Sequence, residues 1–136
     1  MGHSTGVLTF NLGSEYDLTD ALVWNVNFGP GAVTGVKTMT ISISSDGASY
    51  KQVGGTYNLT EGTGFNGLAP NDLTLSNATM AQFVQFNITS NWGGGIVGLN
   101  EVEFLGTASA TTPEPATLGL WLLAPALAFA RRRPVA

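Results

Sequence analysis

Apolar and polar residues alternate with a period of two in five stretches of this chain. The apolar members are Leu8, Phe10 and Leu12; Leu22, Trp24, Val26 and Phe28; Met39, Ile41 and Ile43; Val84, Phe86 and Ile88; and Val102 and Phe104. Period two is typical of strands with one buried face, and no stretch before Ala116 has sustained helical periodicity. The pattern predicts an all-β fold of antiparallel strands with these residues buried. We also expect Phe65 and Phe83 to pack in the core.

Turn sequences lie between these stretches, and they contain mostly glycine. They are Gly29-Pro30-Gly31, Asp46-Gly47, Gly54-Gly55, Asn66-Gly67 and Gly93-Gly94-Gly95. Asp46-Gly47 predicts a hairpin turn, since both central residues tolerate positive φ. Two packed antiparallel sheets, a β-sandwich, are the expected arrangement.

The basic residues are concentrated at the C-terminus. Three of the five are Arg131, Arg132 and Arg133, which leaves two lysines against eight acidic residues before Pro113, a formal charge of about −6. This negative charge argues against binding to nucleic acid or to an anionic membrane surface, because phosphate groups need basic side chains as partners. Cysteine is absent, which excludes disulfides and thiolate metal sites. About 110 residues can bury one modest core, so we expect a single domain.

The C-terminal residues have the order of a membrane sorting segment. Pro113-Glu114-Pro115 precedes an uncharged apolar run, Ala116–Ala130, and the three arginines follow it. As a helix this run would rise about 22 Å, less than the ~30 Å hydrocarbon core, and Pro125 would kink it. A short, interrupted span suits a temporary anchor with its arginines in the cytoplasm. A buried C-terminal core helix is the alternative.

This segment resembles the PEP-CTERM sorting signal of exopolysaccharide-producing Gram-negative bacteria, which has the same three parts in the same order. The resemblance implies cleavage near Pro113-Glu114-Pro115 by an exosortase, a membrane transpeptidase-like enzyme. It places the protein in the inner membrane before processing and at the cell surface or in the extracellular matrix afterwards. Export needs an N-terminal signal, which residues 1–7 do not provide, so we expect a truncated N-terminus. A tail-anchored cytoplasmic domain would instead violate the positive-inside bias.

Four segments in order resemble the discoidin, or coagulation-factor type C, domain. They are Val7-Leu-Thr-Phe-Asn-Leu-Gly-Ser14, Met39-Thr-Ile-Ser-Ile-Ser-Ser-Asp-Gly-Ala-Ser-Tyr50, Ala81-Gln-Phe-Val-Gln-Phe-Asn-Ile88 and Gly98-Leu-Asn-Glu-Val-Glu-Phe-Leu-Gly106. The resemblance implies a galactose-binding-like jelly roll over residues 1–106, without its first strand. Residues 107–112 are then a linker, and residues 113–136 are the sorting signal with its helix.

The discoidin resemblance also implies a calcium ion, held mostly by an early loop that this chain lacks and completed by Glu101. A single carboxylate cannot supply the six to eight oxygens that calcium takes. Calcium is therefore expected only in an intact parent protein. A solvated polar face containing Glu101 and Glu103 is the alternative interpretation.

Ligands in that family bind loops at one end of the sandwich, through aromatic rings and amides. The residues here with that chemistry are Trp92, Asn91, Asn25, Asn27 and Tyr57. The predicted function is non-catalytic binding of a carbohydrate or exopolysaccharide, and the alternative is a structural surface or matrix protein without a specific ligand. Catalysis has little support, since His3 is the only histidine and Asp17 with Asp20 is better explained as an acidic turn.

Overall fold

A computed structural model describes residues 4–65 and 67–110 of the chain. Its strands are β1 (Gly6–Asn25), β2 (Val36–Ser44), β3 (Lys51–Asn58), β4 (Asn71–Asn91) and β5 (Leu99–Ala108), with a 3₁₀ helix at Gly29–Thr34. The predicted all-β, antiparallel character is confirmed for these residues. Within them, no helix is long and apolar enough to cross a membrane. The predicted sorting segment, residues 113–136, lies outside the described part.

The five strands form one sheet in the order β3-β2-β4-β1-β5, and all four pairings are antiparallel. Strands β1 and β4 are long enough to take part in two sections of this sheet. The four-stranded section contains β3, β2, residues 83–91 of β4 and residues 6–11 of β1. The three-stranded section contains residues 71–81 of β4, residues 16–25 of β1 and β5. Separate hydrogen-bonded sheets are thus not seen among the described strands.

Register irregularities divide the two sections. The pairing of β1 with β4 shifts three times between Asn11 and Asp20. Asn77 and Met80, on the facing part of β4, have positive φ values of 61° and 55°. Bulges of this kind bend strands, so the long strands change direction here.

One hydrophobic core joins the two sections. Its buried members from the central strands include Met39, Ile41, Ile43, Val84, Phe86 and Ile88, as the alternation of β2 and β4 predicted. Phe104 of the three-stranded section lies 5.3 Å from Phe10 and 6.0 Å from Phe86 of the four-stranded section, centroid to centroid. Phe10 and Phe86 are 5.1 Å apart, so the three rings make mutual edge-to-face contacts across the sections.

The predicted buried face of β1 is wrong at Leu8, which is 40% exposed, and again in the second half of the strand. The residues buried there are Ala21, Val23 and Asn25, whereas Leu22 and Trp24 are only half-buried. Both faces carry apolar residues in this stretch, so alternation alone could not decide between them. Asn25 can be buried because its amide is fully hydrogen-bonded, which removes the cost of desolvation.

Two phenylalanines predicted or expected in the core are also exposed. Phe28 is 68% exposed and Phe65 is 77% exposed. Both lie outside the strands, where a period of two no longer determines which way a side chain points.

The connection between β2 and β3 is a hairpin, as predicted, but its loop has six residues. Only Gly47 has a positive φ, 73°, so the prediction that both Asp46 and Gly47 turn the chain is wrong. The Asp46 carboxylate instead accepts hydrogen bonds from the Ala48 and Ser49 amides, each at 2.8 Å. The Ser44 hydroxyl donates to the same oxygen at 2.8 Å. A capped carboxylate therefore organises this loop.

Candidate functional site

A shallow cleft of about 210 Å³ lies beside the end of β1. Its wall comes from four parts of the chain: the end of β1, the segment before the 3₁₀ helix, the loop between β3 and β4, and the start of β5. The lining residues are Trp24, Asn25, Asn27, Phe28, Gly67, Leu68 and Asn100. Two of the five residues predicted to bind a ligand, Asn25 and Asn27, are therefore in this cleft.

Asn25 is a structural residue of the cleft, with only 1% of its surface exposed. Its Nδ2 donates to the carbonyls of Val36 at 2.7 Å and Thr60 at 2.9 Å. Its Oδ1 accepts from the backbone amides of Val26 at 3.1 Å and Val36 at 2.8 Å. Because both ends of the amide are occupied by backbone, Asn25 fixes the position of three segments around the cleft and is not available to a ligand.

Asn27 holds the loop between β3 and β4 against the cleft. Its Oδ1 accepts from the Gly64 amide at 2.9 Å, and its Nδ2 donates to the Phe65 carbonyl. The Gly29 amide adds a backbone hydrogen bond to Gly64 at 3.1 Å. Gly62 allows this approach, because a Cβ there would collide with the carbonyl oxygen of Val26. Hydrogen bonds to Asn27 and Gly29 thus hold the loop between β3 and β4 in place as one wall of the cleft.

The groups in the cleft that a ligand can still reach are two aromatic rings and one side-chain amide. The indole of Trp24 is half-buried and the ring of Phe28 is mostly exposed. Asn100 is exposed, and its side chain makes no hydrogen bond within the part of the chain that the structure describes. Ring faces stack on apolar surfaces of a ligand, and an amide both donates and accepts hydrogen bonds. The sequence did not predict Trp24, Phe28 or Asn100 as ligand-binding residues.

Asn91 and Trp92 lie elsewhere: Asn91 is the last residue of β4, and Trp92 is the first residue of the loop between β4 and β5. Asn91 donates to the carbonyls of Gly94 and Ile96, both at 2.7 Å, and accepts from the Gly93 amide at 3.0 Å. It therefore shapes its own glycine loop. The ring of Trp92 is half-buried and lies under the ammonium of Lys37, with 4.9 Å between Nζ and the ring centroid. Its Nε1 is buried and finds no acceptor among the described residues.

Tyr57 lies within β3 and not in a loop. Its hydroxyl donates to the Thr74 carbonyl at 2.8 Å, which connects β3 to the three-stranded section. Burial raises the pKa of this phenol. Tyr57, Asn91 and Trp92 are all absent from the lining of the cleft, so the structure does not bring the five predicted residues together.

Glu101 is exposed on β5, directly opposite Trp24 of β1. Glu103 shares this exposed face, while Val102 between them is half-buried. No group of three or more histidine, aspartate or glutamate side chains converges in the described part of the chain. These residues alone do not form a calcium site.

Asp17 and Asp20 lie within β1, so the prediction of an acidic turn is wrong, and the Asp17 carboxylate instead binds neighbouring parts of the sheet. Its Oδ1 accepts from the Met80 amide at 2.9 Å and from the Ser109 hydroxyl at 2.8 Å. The hydrogen bond from the Met80 amide, and to a lesser extent the one from the Ser109 hydroxyl, lower the pKa of the Asp17 carboxyl. Asp17 is thus an anchor between β1, β4 and the residue after β5.

The predicted sorting residues Pro113, Glu114, Pro115, Arg131, Arg132 and Arg133 lie outside the described residues. Comparison with known proteins found no family model that matches this chain and no curated protein with significant similarity to it. The chemistry of the cleft and the sequence of the tail are therefore the basis for a functional proposal.

Proposed function

We propose that this chain is an exported, non-catalytic protein of the cell surface or extracellular matrix that binds carbohydrate. One observation carries the binding proposal. The cleft presents the rings of Trp24 and Phe28 next to the exposed amide of Asn100. Sugars have an apolar ring face and a rim of hydroxyls, and a ring with an adjacent amide complements both.

The proposed cellular location of the protein is based on its C-terminal sequence. Exosortase cleavage near Pro113-Glu114-Pro115 would release the domain from the apolar run that Arg131–Arg133 closes. The domain would then leave the inner membrane for the surface or matrix. Expression with and without an exosortase tests this step, with the tail followed by intact mass. A tail of unchanged mass in both strains would contradict it.

The finer fold proposal is a galactose-binding-like jelly roll, in which the two sections act as the layers of a β-sandwich. The contacts of Phe104 with Phe10 and Phe86 across the core support it. So does the hydrogen bond from Tyr57 in one section to Thr74 in the other. Aligned packing of two layers is the usual way to bury one face of each.

A structural protein without a specific ligand is the second candidate. It is favoured by the internal use of the polar groups that could have bound a sugar. The side chains of Asn25, Asn27 and Asn91 all hydrogen-bond to backbone. On this view the cleft is a by-product of loop packing.

A glycan array separates these two candidates. The full-length chain is applied in a detergent without a sugar headgroup, with and without calcium, as wild type, Trp24→Ala and Phe28→Ala. Loss of one stacking ring is expected to weaken binding about tenfold, which corresponds to about 1.4 kcal/mol.

Phe65→Ala is the matched control. It removes the same ring from a side chain that is similarly exposed and does not line the cleft. Equal losses in Phe65→Ala and Phe28→Ala would place binding elsewhere. Absence of glycan binding by the wild type in both conditions would favour the structural candidate.

A further inference from the structure

The outer face of the four-stranded section is covered by hydroxyl and amide side chains arranged in rows. In one row, Ser42 of β2 pairs with Gln52 of β3 and with Gln85 of β4, and Gln85 pairs with Thr9 of β1. The inward neighbours Ile41 and Ile43 are buried, which places Ser42 on the outer face. Four strands thus contribute one polar side chain each to this row.

A second row runs parallel to the first. Thr40 of β2 pairs with Thr56 of β3 and with Asn87 of β4, and Asn87 pairs with Val7 of β1. With adjacent strands ~4.8 Å apart, each row extends about 14 Å, and the rows are about 7 Å apart. The two rows contain seven polar residues, one valine and no charged residue.

Most side chains in the two rows direct their donors and acceptors to solvent. Among the described residues, the only side-chain hydrogen bond within the two rows joins Gln85 Nε2 to Thr9 Oγ1, at 3.5 Å. Gln52, Thr56 and Asn87 are exposed, while Thr40 and Ser42 are half-buried and still reach the surface. Donors and acceptors therefore face outward along both rows.

The absence of charge from these rows restricts the partner. A phosphate- or carboxylate-bearing polymer requires basic side chains, and the rows contain none. A protein partner usually buries an apolar patch, whereas Val7 is the one apolar side chain in the rows. A neutral polymer with hydroxyls along its whole length matches a periodic, uncharged array of donors and acceptors.

We infer that this outer face binds a neutral polysaccharide, with the chain lying along the rows and across the four strands. The inference rests on the proposed carbohydrate function and adds a second surface and a charge class to it. The cleft would take a short sugar segment by stacking, and the face would take an extended one by hydrogen bonding.

Affinity gel electrophoresis of the full-length chain tests this inference, with dextran, hydroxyethyl cellulose or galactomannan in the gel and alginate as the anionic comparison. The test variant is Thr40→Val with Thr56→Val, which keeps shape and strand propensity but removes two hydroxyls. Loss of about two hydrogen bonds is expected to weaken binding to the neutral polymer about tenfold. The matched control is Thr74→Val with Thr107→Val, which makes the same change at two exposed positions of the three-stranded section, away from the rows.

A second variant, Gln52→Ala with Asn58→Ala, covers the case in which the valine variant does not fold. Gln52 is in the first row and Asn58 pairs with Thr38 at the end of the face, and both are exposed. Weaker binding by face variants, with unchanged binding by the control, supports the inference. If only the cleft variants Trp24→Ala and Phe28→Ala lose binding, or if alginate binds better than the neutral polymers, the inference is overturned while the carbohydrate proposal survives. If no polysaccharide retards the wild type, both fail.

Discussion

Asn25 places a polar amide inside the apolar core, and its hydrogen bonds connect the end of β1 to Val36 and Thr60. Replacing it with alanine would leave these buried backbone groups without partners. We expect Asn25→Ala to lower the free energy of unfolding by about 2–4 kcal/mol, measured by urea denaturation.

Asn100→Ala is the control for this substitution. It removes an amide that is exposed and has no hydrogen bond within the described part of the chain, so its effect should stay within about 0.5 kcal/mol. Equal effects of the two substitutions would show that the hydrogen bonds of Asn25 are not what stabilises this region.

Asp46 predicts a dependence of stability on pH. The amides of Ser49 and Ala48, with the Ser44 hydroxyl, lower the pKa of its carboxyl to about 2. In the unfolded chain the pKa is about 3.9, so this carboxylate favours folding above about pH 4. That contribution is lost as the pH falls through the folded-state pKa.

Carbon-detected NMR titration of the Asp46 carboxyl measures this pKa directly. Asp46→Asn keeps an acceptor oxygen but does not titrate, so part of the loss of stability between pH 4 and pH 2 should disappear in the variant. A carboxyl that titrates near 3.9 in the folded protein would contradict the capped loop.

Strands β1 and β5 approach each other closely at Gly106. A Cβ there would lie 2.8 Å from the Leu18 Cα and would collide with the Asp17 carbonyl oxygen. Backbone atoms cannot move aside as a flexible side chain can. We expect Gly106→Ala to destabilise the protein by about 1–3 kcal/mol in thermal or urea unfolding.

Gly55→Ala is the matched control on another strand. A Cβ at Gly55 meets nothing within 4 Å, and its φ is not positive. Its effect on the unfolding midpoint should therefore be small. A similar loss at both positions would mean that the general strand penalty, and not the contact with β1, decides the result at Gly106.

The sequence predicted central strands better than strands whose two faces are alike. Met39, Ile41 and Ile43 alternate with small polar residues, so only one face of β2 could be buried, and it is. In β1, Leu22 and Trp24 compete with Ala21 and Val23, and the larger side chains lie on the more exposed face. The local pattern of hydrophobicity could not predict this, because it does not show the hydrogen bonds that allow Asn25 to be buried beside Ala21 and Val23.

The candidate cleft was only partly predictable for a related reason. Asn27 was selected for its chemistry, and it does line the cleft. Asn100 approaches Trp24 only because β5 pairs with β1, a long-range pairing that no local pattern encodes. The predicted Trp92 and Asn91 had suitable chemistry, but neither residue lines this cleft.

At the scale of the whole molecule, contacts among Phe10, Phe86 and Phe104 connect the two sections. A double-mutant cycle with Phe10→Leu and Phe104→Leu should give a coupling energy of about 0.5–1.5 kcal/mol. Urea unfolding followed by tryptophan fluorescence supplies the four free energies. Phe65→Leu with Phe104→Leu is the control cycle and should be additive, since Phe65 is exposed on a loop. Additivity in both cycles would contradict a core shared through these rings.

The long strands also determine when the domain can fold during synthesis. Gly6 pairs with Ile88 and Val23 pairs with Asn71. Strand β1 therefore cannot pair with β4 until most of the domain has been synthesised. Pairings this distant in sequence close large loops and form slowly. We therefore expect the nascent chain to remain unfolded until most of the domain has been synthesised, and an unfolded chain is the form that a narrow translocation channel admits.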